Sequence, residues 1–530
     1  MLNADRLLGI EDAVCLLEDA LWSQARILIV GDFDADGATS CAVAIRALRA
    51  LGAQHVDYLV PNRFTYGYGL TPEIVDLAAE KEPDLLITVD NGISSIEGVR
   101  AARALGIAVL VTDHHLPGAE LPAADAIVNP NLPDCDFPSK NLAGVGVIFY
   151  IMLALRKRLR ATQWFSETGL AEPNMANLLD LVGLGTVADV VVLDANNRIF
   201  VDQALRRIRA GKTVPGVRAL LEVAGRDYRR IVAADLGFAV GPRLNAAGRL
   251  EDMSLGIECL LTDDPGQARE YAERLDDLNR QRREIESQMQ EEALADLNRL
   301  RLQWDAKQVP AGICLMDEGW HQGVIGILAS RIKERFHRPV VAFAPAGDGS
   351  LKGSARSISG LHMRDLLDLM ATRHPGLIER FGGHAMAAGL SIPEHNYGQF
   401  EQVFADTVDE VVEPELLEEV LLSDGSLAPQ EFQLEVADTL RDGGPWGQGF
   451  PEPRFDGRFE IGESRIVGEK HLKFSLRPPG GREWLDGIAF NAVERGWGSL
   501  QGEVTALYRL DVNEFRGRRS VQLMLEHLEP

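Results

Sequence analysis

A chain of 530 residues is too long for one hydrophobic core, so about two to four domains are expected. Its composition, with 46% hydrophobic and 25% charged residues, is that of an ordinary globular protein, and no apolar run is long enough to span a bilayer, which excludes a membrane protein. The formal charge of -25 argues against a uniformly basic nucleic-acid binder, although a local basic groove beside metal-binding carboxylates remains compatible with it. The five scattered cysteines form no Cys-x-x-Cys pair, which argues against structural zinc and predicts a reducing, cytoplasmic location.

Short β-rich runs alternate with helix-like segments from residue 26 onward. Strand patterns occur in RILIVGD, HVDYLVP, DLLITVD and IAVLVTD, with helical patterns between them. This alternation is typical of an α/β fold with a parallel sheet, in which ligands bind beyond the carboxyl ends of the strands. Three of these runs end in aspartate, at Asp32, Asp90 and Asp113. We therefore expect a functional site at that edge of the sheet.

The segment GDFDADG (31–37) places three carboxylates at alternate positions of a strand-to-helix turn. It imitates the start of a calcium-binding EF-hand loop, but the glutamate required at the twelfth position is replaced by Val43. Helix capping would account for one of the aspartates and not for all three. We therefore predict that Asp34 and Asp36 bind a divalent metal ion.

Two further segments add candidate metal ligands. Asp90 begins an Asp-Asn-Gly turn, which alone is weak evidence, and Asp113 precedes the adjacent histidines His114 and His115. One imidazole can bind metal while the other contacts substrate or transfers a proton. Carboxylate and imidazole ligands without thiolate favour Mn²⁺ or Mg²⁺, and the imidazole makes Mn²⁺ the better choice. With Asp189 in the cluster, the carboxylates would suffice for two ions and for two-metal phosphoryl displacement.

Glycine-rich turns elsewhere carry polar groups that could contact phosphate. Glycine allows the backbone to approach a phosphate closely, and a phosphodiesterase needs such groups for the non-reacting oxygens. Each of these turns, taken alone, could also be an ordinary surface turn. The candidate side chains are Arg63, Arg249, Ser354, Arg356 and His384.

The rest of the chain divides into further units. Residues 141–230 are mainly helical. A long charged helix is then predicted, with Thr262 as its N-cap and Pro265 in its first turn, and it runs to about residue 302 without glycine or proline after Gly266. Its apolar positions are too sparse for a coiled-coil dimer, and the chain is expected to be a monomer. A second α/β unit and a C-terminal run of about five short strands follow, and such small barrels often bind single-stranded nucleic acid.

Taken in order, these motifs resemble those of the DHH phosphoesterase superfamily, and specifically the bacterial RecJ family of single-strand exonucleases. The motifs DFDADG, VDNG, TDHH, GTVADV, GPRLNAAGR, GSARS and FGGHAMAAG match that family from about residue 25 to 390, and GPWGQGFPEPRF (444–455) extends the match toward the barrel. The resemblance implies an α/β fold class, with a parallel-sheet DHH domain, a long connecting helix, a second α/β domain of the DHHA1 type and an OB-like β-barrel. The corresponding expected ranges are 1–262, 263–306, 307–400 and, with an acidic linker, 401–530.

The resemblance also assigns roles to residues. Metal ligands would be Asp34, Asp36, Asp90, His114 and Asp189, with Asp32 a close neighbour of uncertain role. His115 would contact the scissile phosphate or assist protonation, while Arg249 and His384 would stabilise phosphate. A pocket for the DNA 5′ end would comprise Arg63, Ser354 and Arg356.

The activity implied by the resemblance is stepwise 5′-to-3′ removal of 5′-mononucleotides from single-stranded DNA in repair and recombination. Mn²⁺ or Mg²⁺ would be the cofactor, with two ions expected. Single-stranded DNA is the implied partner, and a single-stranded-DNA-binding protein and a helicase are candidate protein partners. One departure from the family pattern is Val192, which stands where proline is typical and which we expect to change packing.

Two alternatives compete with this interpretation. Short-oligonucleotide phosphodiesterases and family II pyrophosphatases share the catalytic signatures, but the pyrophosphatases have histidine where this chain has Val30, and both lack the long helix and barrel. A catalytically inactive scaffold related to this fold would have lost ligands, whereas every ligand position here is filled. Because buried carboxylates are costly without a cation, a full set favours an enzyme.

Overall fold

The computed structural model describes residues 1–61, 69–301, 309–383, 386–515 and 518–530, without the side chains of residues 290, 292–301, 494 and 515. The chain divides into two compact units. Unit 1 comprises Met1–Asp276 and Leu422–Pro530, and unit 2 comprises Asp277–Leu421. Within the described ranges, no helix combines the length and apolar character needed to cross a membrane.

Unit 1 begins with a five-stranded parallel sheet in the order β2-β1-β3-β4-β5, which confirms the predicted α/β fold. The three central strands are almost entirely buried, as expected for a parallel sheet covered on both faces. Its strands are β1 Ile27–Gly31, β2 Val56–Leu59, β3 Leu85–Val89, β4 Ala108–Thr112 and β5 Ala126–Val128.

Helices pack around this sheet. Thr71 caps the third of them through its side chain, with Pro72 in the first turn, which is a favoured helix start. The helices that precede or cross between the strands are α1 Ile10–Trp22, α2 Ala35–Leu51, α3 Pro72–Ala79 and α4 Ile96–Ala104.

The region after the sheet is helical, as predicted. It also contains a π-helix at Leu236–Val240, directly before α11. The helices are α5 Gly144–Ala161, α6 Trp164–Thr168, α7 Leu179–Ala188, α8 Ala195–Arg209, α9 Pro215–Val223, α10 Ala233–Asp235, α11 Gly241–Leu250 and α12 Ser254–Leu261.

The predicted long helix is present as α13, Pro265–Arg301, and the division between the two units lies within it. Its start differs from the prediction in one detail. Asp264, rather than Thr262, is the capping residue, because its Oδ1 accepts hydrogen bonds from the backbone N–H of Gly266 (2.7 Å) and Gln267 (2.9 Å). Thr262 Oγ1 instead accepts a hydrogen bond from Asp264 N at 3.1 Å.

Unit 2 contains a mixed sheet in the order β6-β7-β8-β10-β9, in which β6 and β7 are parallel and the other pairs antiparallel. The helix predicted from about Gln322 begins at Ile325. The elements are β6 Ile313–Met316, α14 Ile325–Phe336, β7 Val340–Pro345, β8 Ser350–Arg356, α15 Met363–Arg373, β9 Arg380–Gly383, β10 Ala387–Pro393 and α16 Tyr397–Val411.

Helix α16 spans residue 400, where a boundary was predicted. The acidic stretch expected to be a linker therefore begins as part of this helix. Its apolar side chains Phe400, Phe404 and Val408 are fully buried in the core of unit 2, while the acidic residues occupy the exposed face. The sequence was misleading because the charged residues dominate the composition, although the apolar positions recur with helical spacing.

The C-terminal part of unit 1 is a closed barrel in the order β11-β12-β13-β15-β14, which confirms the predicted five-stranded barrel. Alternate residues of β12 point inward, and Phe459, Phe474 and Tyr508 are the largest fully buried side chains of its core. The elements are α17 Leu434–Asp442, β11 Phe455–Val467, β12 His471–Arg477, β13 Leu485–Ala489, β14 Gly502–Phe515 and β15 Arg518–Glu529.

The loop before the barrel packs on the segment that follows Asp189. Gln448 O accepts a hydrogen bond from Leu193 N at 2.7 Å. A Cβ placed on Gly449 would lie 2.5 Å from Cγ1 of Val192, so the residue that departs from the family pattern lies in this contact. Val192 therefore packs against this loop.

The assignment of α16 to unit 2 can be tested with Phe404→Ala. Loss of a fully buried phenyl ring should lower the free energy of unfolding by about 3–5 kcal/mol. Asp409→Ala, on the exposed face of the same helix, should change it by less than about 0.5 kcal/mol. Urea unfolding of the full chain, followed by circular dichroism, measures both. Equal stability of the two variants would mean that this segment is a solvated linker.

Candidate metal centre

The register of the parallel sheet aligns three polar segments at one edge. Gly31 pairs with Val89, and Val89 pairs with Thr112, so the residues that follow, Asp32, Asp90 and Asp113, leave neighbouring strands at the same level. This is the edge predicted from the sequence.

The GDFDADG segment forms the turn from β1 into α2. Asp34 caps that helix, because its Oδ1 accepts hydrogen bonds from the backbone N–H of Asp36 (2.9 Å) and Gly37 (3.0 Å). Capping therefore does account for one carboxylate, as expected. Both hydrogen bonds use one oxygen, which leaves the capping role compatible with metal binding through the other.

Asp36 lies in the first turn of α2 with its side chain fully buried. Its Oδ2 accepts a hydrogen bond from Gly144 N (2.6 Å) and its Oδ1 from Val145 N (3.0 Å), in the first turn of α5. Burial, and then the charge of Asp34, raise the pKa of Asp36 to about 7. A Cβ on Gly144 would lie 2.6 Å from Cβ of Asp90, so only glycine fits between these carboxylates. Gly144 was not recognised from the sequence, although this residue begins a helical segment that contains two closely spaced glycines.

His114 lies among three carboxylates. Its Nε2 is 3.0 Å from Asp90 Oδ1, 3.6 Å from Asp189 Oδ2 and 4.0 Å from Asp36 Oδ2. Asp189 reaches this point because it is the C-cap residue that directly follows α7. Burial, together with the charges of Asp36 and Asp34, raises the pKa of both Asp90 and Asp189. Asp90 adopts a left-handed backbone conformation with φ 62°, which is uncommon for aspartate and clusters at functional sites.

The donor set fits divalent metal. Several like-charged carboxylates share a buried volume, which is unfavourable unless protons or cations neutralise them. Oxygen and imidazole nitrogen without thiolate are the donors that Mn²⁺ and Mg²⁺ accept. Within the described ranges, three overlapping groups each hold their ligand atoms within 4.8 Å of one another: Asp90, His114 and His115; Asp36, His114 and Asp189; and Asp32, Asp34 and Asp90. Because neighbouring groups share a ligand, the arrangement is suited to two adjacent ions.

His115 is positioned by Asp113. Its Nδ1 is 2.7 Å from Asp113 Oδ1, and the other oxygen of Asp113 accepts a hydrogen bond from Ile93 N at 2.9 Å. Burial lowers the pKa of His115, but the hydrogen bond and charge of Asp113 more than reverse this effect and raise it. An imidazole held in this way can donate a hydrogen bond or a proton. No role beyond its place at this sheet edge was predicted for Asp113, although its position directly before the paired histidines indicated that it could orient one of them.

Helix α11 contacts the same turn. Asn245 Oδ1 accepts a hydrogen bond from Ala35 N at 2.7 Å, and a Cβ on Gly248 would lie 1.8 Å from Phe33 O. Arg249 is the next residue and is half-buried, so the helix carries a cation beside the carboxylate turn. Asn245 was not recognised from the sequence, although it lies in the quoted motif GPRLNAAGR.

Two predicted substrate-binding residues lie together in unit 2. Arg356 Nη1 donates a hydrogen bond to Ser354 Oγ at 3.0 Å, and Arg356 Nε donates one to Ser330 Oγ at 3.1 Å. Gly326, in the first turn of α14, leaves space for them, because a Cβ there would lie 2.7 Å from Arg356 Nη2. A helix start beside a guanidinium favours an anion. The remaining predicted residues, Arg63 and His384, lie outside the described residues.

Comparison with known proteins identifies all three parts of the chain. Residues 26–186 match the N-terminal domain of the DHH family, residues 308–413 match the DHHA1 domain and residues 423–527 match the RecJ OB domain. The single-stranded-DNA-specific exonuclease RecJ of Dickeya dadantii is 62% identical over 99% of this chain and 91% of its own length. The chain belongs to the RecJ family.

Solved structures of this family extend the comparison to the fold. The structure of RecJ from Thermus thermophilus in complex with Mn²⁺ is 33% identical, with a TM-score of 0.81, and covers 99% of this chain and 72% of its own. The complex with Mg²⁺ from the same organism has a TM-score of 0.74, with 31% identity over 99% of this chain and 70% of its own. Both support the predicted three-part RecJ architecture of parallel-sheet domain, DHHA1 domain and OB-type barrel.

Metal binding should depend on pH because it displaces protons. The raised pKa of Asp36, about 7, means that the metal-free fold is stabilised at low pH and that this stability is lost as the pH rises through about 7. Manganese requires the ionised carboxylate, so its apparent affinity should rise from about pH 6 to about pH 8. Isothermal titration calorimetry in buffers of different ionisation enthalpy measures both the affinity and the protons released.

A matched control is Asp180→Asn. Asp180 is also fully buried with a raised pKa, but it binds Thr213 Oγ1 and Val214 N, each at 2.8 Å, away from the cluster. This variant should retain the pH dependence, whereas Asp36→Asn should flatten it. Identical pH profiles for both variants would contradict the link between deprotonation of Asp36 and manganese binding.

Proposed function

We propose that this chain is a metal-dependent exonuclease that hydrolyses single-stranded DNA from the 5′ end to 5′-mononucleotides, in DNA repair and recombination. The observation that carries the proposal is the buried group of Asp36, Asp90 and Asp189 around His114 Nε2, in a chain whose nearly full-length relative is named a single-stranded-DNA-specific exonuclease. The carboxylates favour cation-assisted chemistry, and the relative indicates the polymer on which that chemistry acts.

The cofactor is Mn²⁺ or Mg²⁺, and we assign it two sites. The proposed ligands are Asp34, Asp36, Asp90, His114 and Asp189, with Asp32 beside them. When bound, these ions neutralise the carboxylates, polarise the phosphodiester and lower the pKa of the attacking water. The protein fixes the ligands through helix starts, which orient Asp34 and Asp36 before any ion binds.

Residues beside the ligands act on the phosphate. His115, oriented by Asp113 at 2.7 Å, contacts the scissile phosphate or donates a proton to the departing 3′-oxygen. Arg249 supplies positive charge where negative charge accumulates on the non-bridging oxygens. His384 is proposed for the same role from the sequence alone.

Unit 2 supplies the proposed pocket for the DNA 5′ end. Ser354 and Arg356 are joined by a 3.0 Å hydrogen bond beside the start of α14, and Gly326 keeps the space above them clear of a side chain. Burial lowers the pKa of Arg356 because it disfavours the charged guanidinium. A bound anion would offset that cost. Arg63 is proposed, from its sequence motif alone, to contact the DNA 5′ end.

The proposed division of labour keeps the predicted ranges 1–262 for catalysis and 263–306 for connection. It extends the DHHA1-type domain from 307 through α16 to 421, which leaves 422–530 for binding the strand through the barrel. We expect a monomer that acts in the cytoplasm. A helicase and a single-stranded-DNA-binding protein are the expected partners, because the first generates single-stranded DNA and the second holds it.

End-labelled oligonucleotides test polarity and strand preference together. With Mn²⁺, label at the 5′ end of a single strand should be released first, as a mononucleotide, whereas label at the 3′ end should appear only after complete digestion. Blunt duplex should be degraded at least about 100-fold more slowly. Asp90→Ala is the inactive control, because it removes a ligand shared by two of the groups. Early release of 3′ label, or equal cleavage of duplex, would refute the proposal.

A further inference from the structure

Phe238 is an aromatic side chain held in solvent. It is 80% exposed, and no other large hydrophobic residue among those described is more exposed. Burial of this phenyl ring by a ligand would recover free energy that its exposure to water costs.

The backbone imposes this exposure. Phe238 lies in the π-helix Leu236–Val240, and its neighbours Leu236, Ala239 and Val240 are all buried. Ala239 O accepts a hydrogen bond from Arg243 Nη1 at 2.6 Å, which ties the π-helix to α11. Such turns are rare and are frequent at functional sites. Phe238 is therefore presented by a packed helix rather than by a loose loop.

The π-helix lies against the segment that ends in the metal ligand Asp189. A Cβ on Gly237 would be 3.1 Å from Val187 Cγ1, and one on Gly241 would be 3.2 Å from Ala188 Cβ. The continuing helix α11 also binds Ala35 in the carboxylate turn through Asn245. The helical element carrying Phe238 thus contacts two of the segments from which the metal centre is built.

Val190 adds a second apolar surface on the same segment. It directly follows Asp189, is 64% exposed and has φ 61°, a left-handed conformation that is strongly disfavoured for a β-branched residue. Its N–H donates a hydrogen bond to Val187 O at 3.3 Å, on the residue that Gly237 approaches. One exposed apolar side chain therefore directly follows Asp189, and the other lies on the π-helix that packs against the end of α7.

We propose that Phe238 is a stacking platform for one nucleobase of the DNA strand, with Val190 as a flanking apolar contact. The proposal deepens the proposed function and rests on it. Phosphate and sugar offer no flat apolar face, whereas every nucleobase does, so an exposed aromatic ring on an element that contacts these two segments matches a base of the bound strand. Because stacking tolerates all four bases, this contact positions the strand without reading its sequence.

The test uses single-stranded oligonucleotides that contain one abasic residue at each of several successive positions from the attacked end. Wild-type protein should degrade one of these oligonucleotides more slowly than the others, namely the one whose abasic residue replaces the base that stacks on Phe238. Phe238→Ala should lower kcat/KM on intact DNA by about 5- to 100-fold. In this variant, the abasic residue at that position should cause no further loss of rate, because the ring on which the base would stack is already absent. Phe238→Tyr keeps an aromatic ring and should therefore retain both the wild-type kcat/KM and the slower degradation of that oligonucleotide.

Controls separate stacking from misfolding. Leu105→Ala removes an exposed apolar side chain (56% exposed) that follows α4, at the opposite edge of the sheet, and should leave kcat/KM unchanged. The increase in melting temperature with Mn²⁺ should be the same in Phe238→Ala and wild type. Full activity in Phe238→Ala, or a lowered rate with the abasic penalty retained, would overturn the stacking role. Failure of wild-type protein to degrade any single strand would instead refute the proposed function.

Discussion

The burial of several carboxylates in one small volume is the constraint on which this structure depends. Asp36 and Asp90 are almost completely buried, and burial, followed by repulsion from neighbouring aspartates, raises the pKa of both groups. Such a cluster persists only if the fold holds the side chains in place and a cation compensates their charge. Two helix starts meet this need for Asp34 and Asp36, since backbone N–H groups of α2 and α5 donate hydrogen bonds to their oxygens.

The same constraint explains the close packing around the cluster. Gly144 has no side chain because Asp90 occupies that space, and a Cβ on Gly37 would lie 2.4 Å from Asp32 O. Asp90 itself adopts φ 62°, a conformation whose cost must be met by the surrounding packing. Asp113 sits at the same sheet edge, and burial raises its pKa, but the hydrogen bond and charge of His115, with the charge of His114 and the Ile93 N–H, together outweigh burial and lower it. Within this edge, one aspartate thus orients a histidine while its neighbours form the proposed cation site.

Much of this arrangement could be predicted from the sequence because parallel strands repeat a local pattern. Each of three buried strands is followed by aspartate, so the strand pattern alone was enough to place Asp32, Asp90 and Asp113 at one edge. The helix-borne contributions were less accessible. Gly144, Asn245 and Phe238 act through tertiary contacts or exposure, which depend on how distant helices meet. The acidic face of α16 also concealed a core helix, since net charge in a segment says little about its buried positions. Arg63 and His384 stay predictions.

The most direct test of the central claim is to locate manganese in the protein by anomalous X-ray scattering. Crystals grown with Mn²⁺ should show two anomalous peaks within the cluster, at positions that share Asp90 or His114 as a ligand. The wavelength should be chosen near the manganese absorption edge, and a second data set at an energy below the edge should abolish both peaks. A structure with full manganese occupancy elsewhere and no peak among these carboxylates would contradict the account.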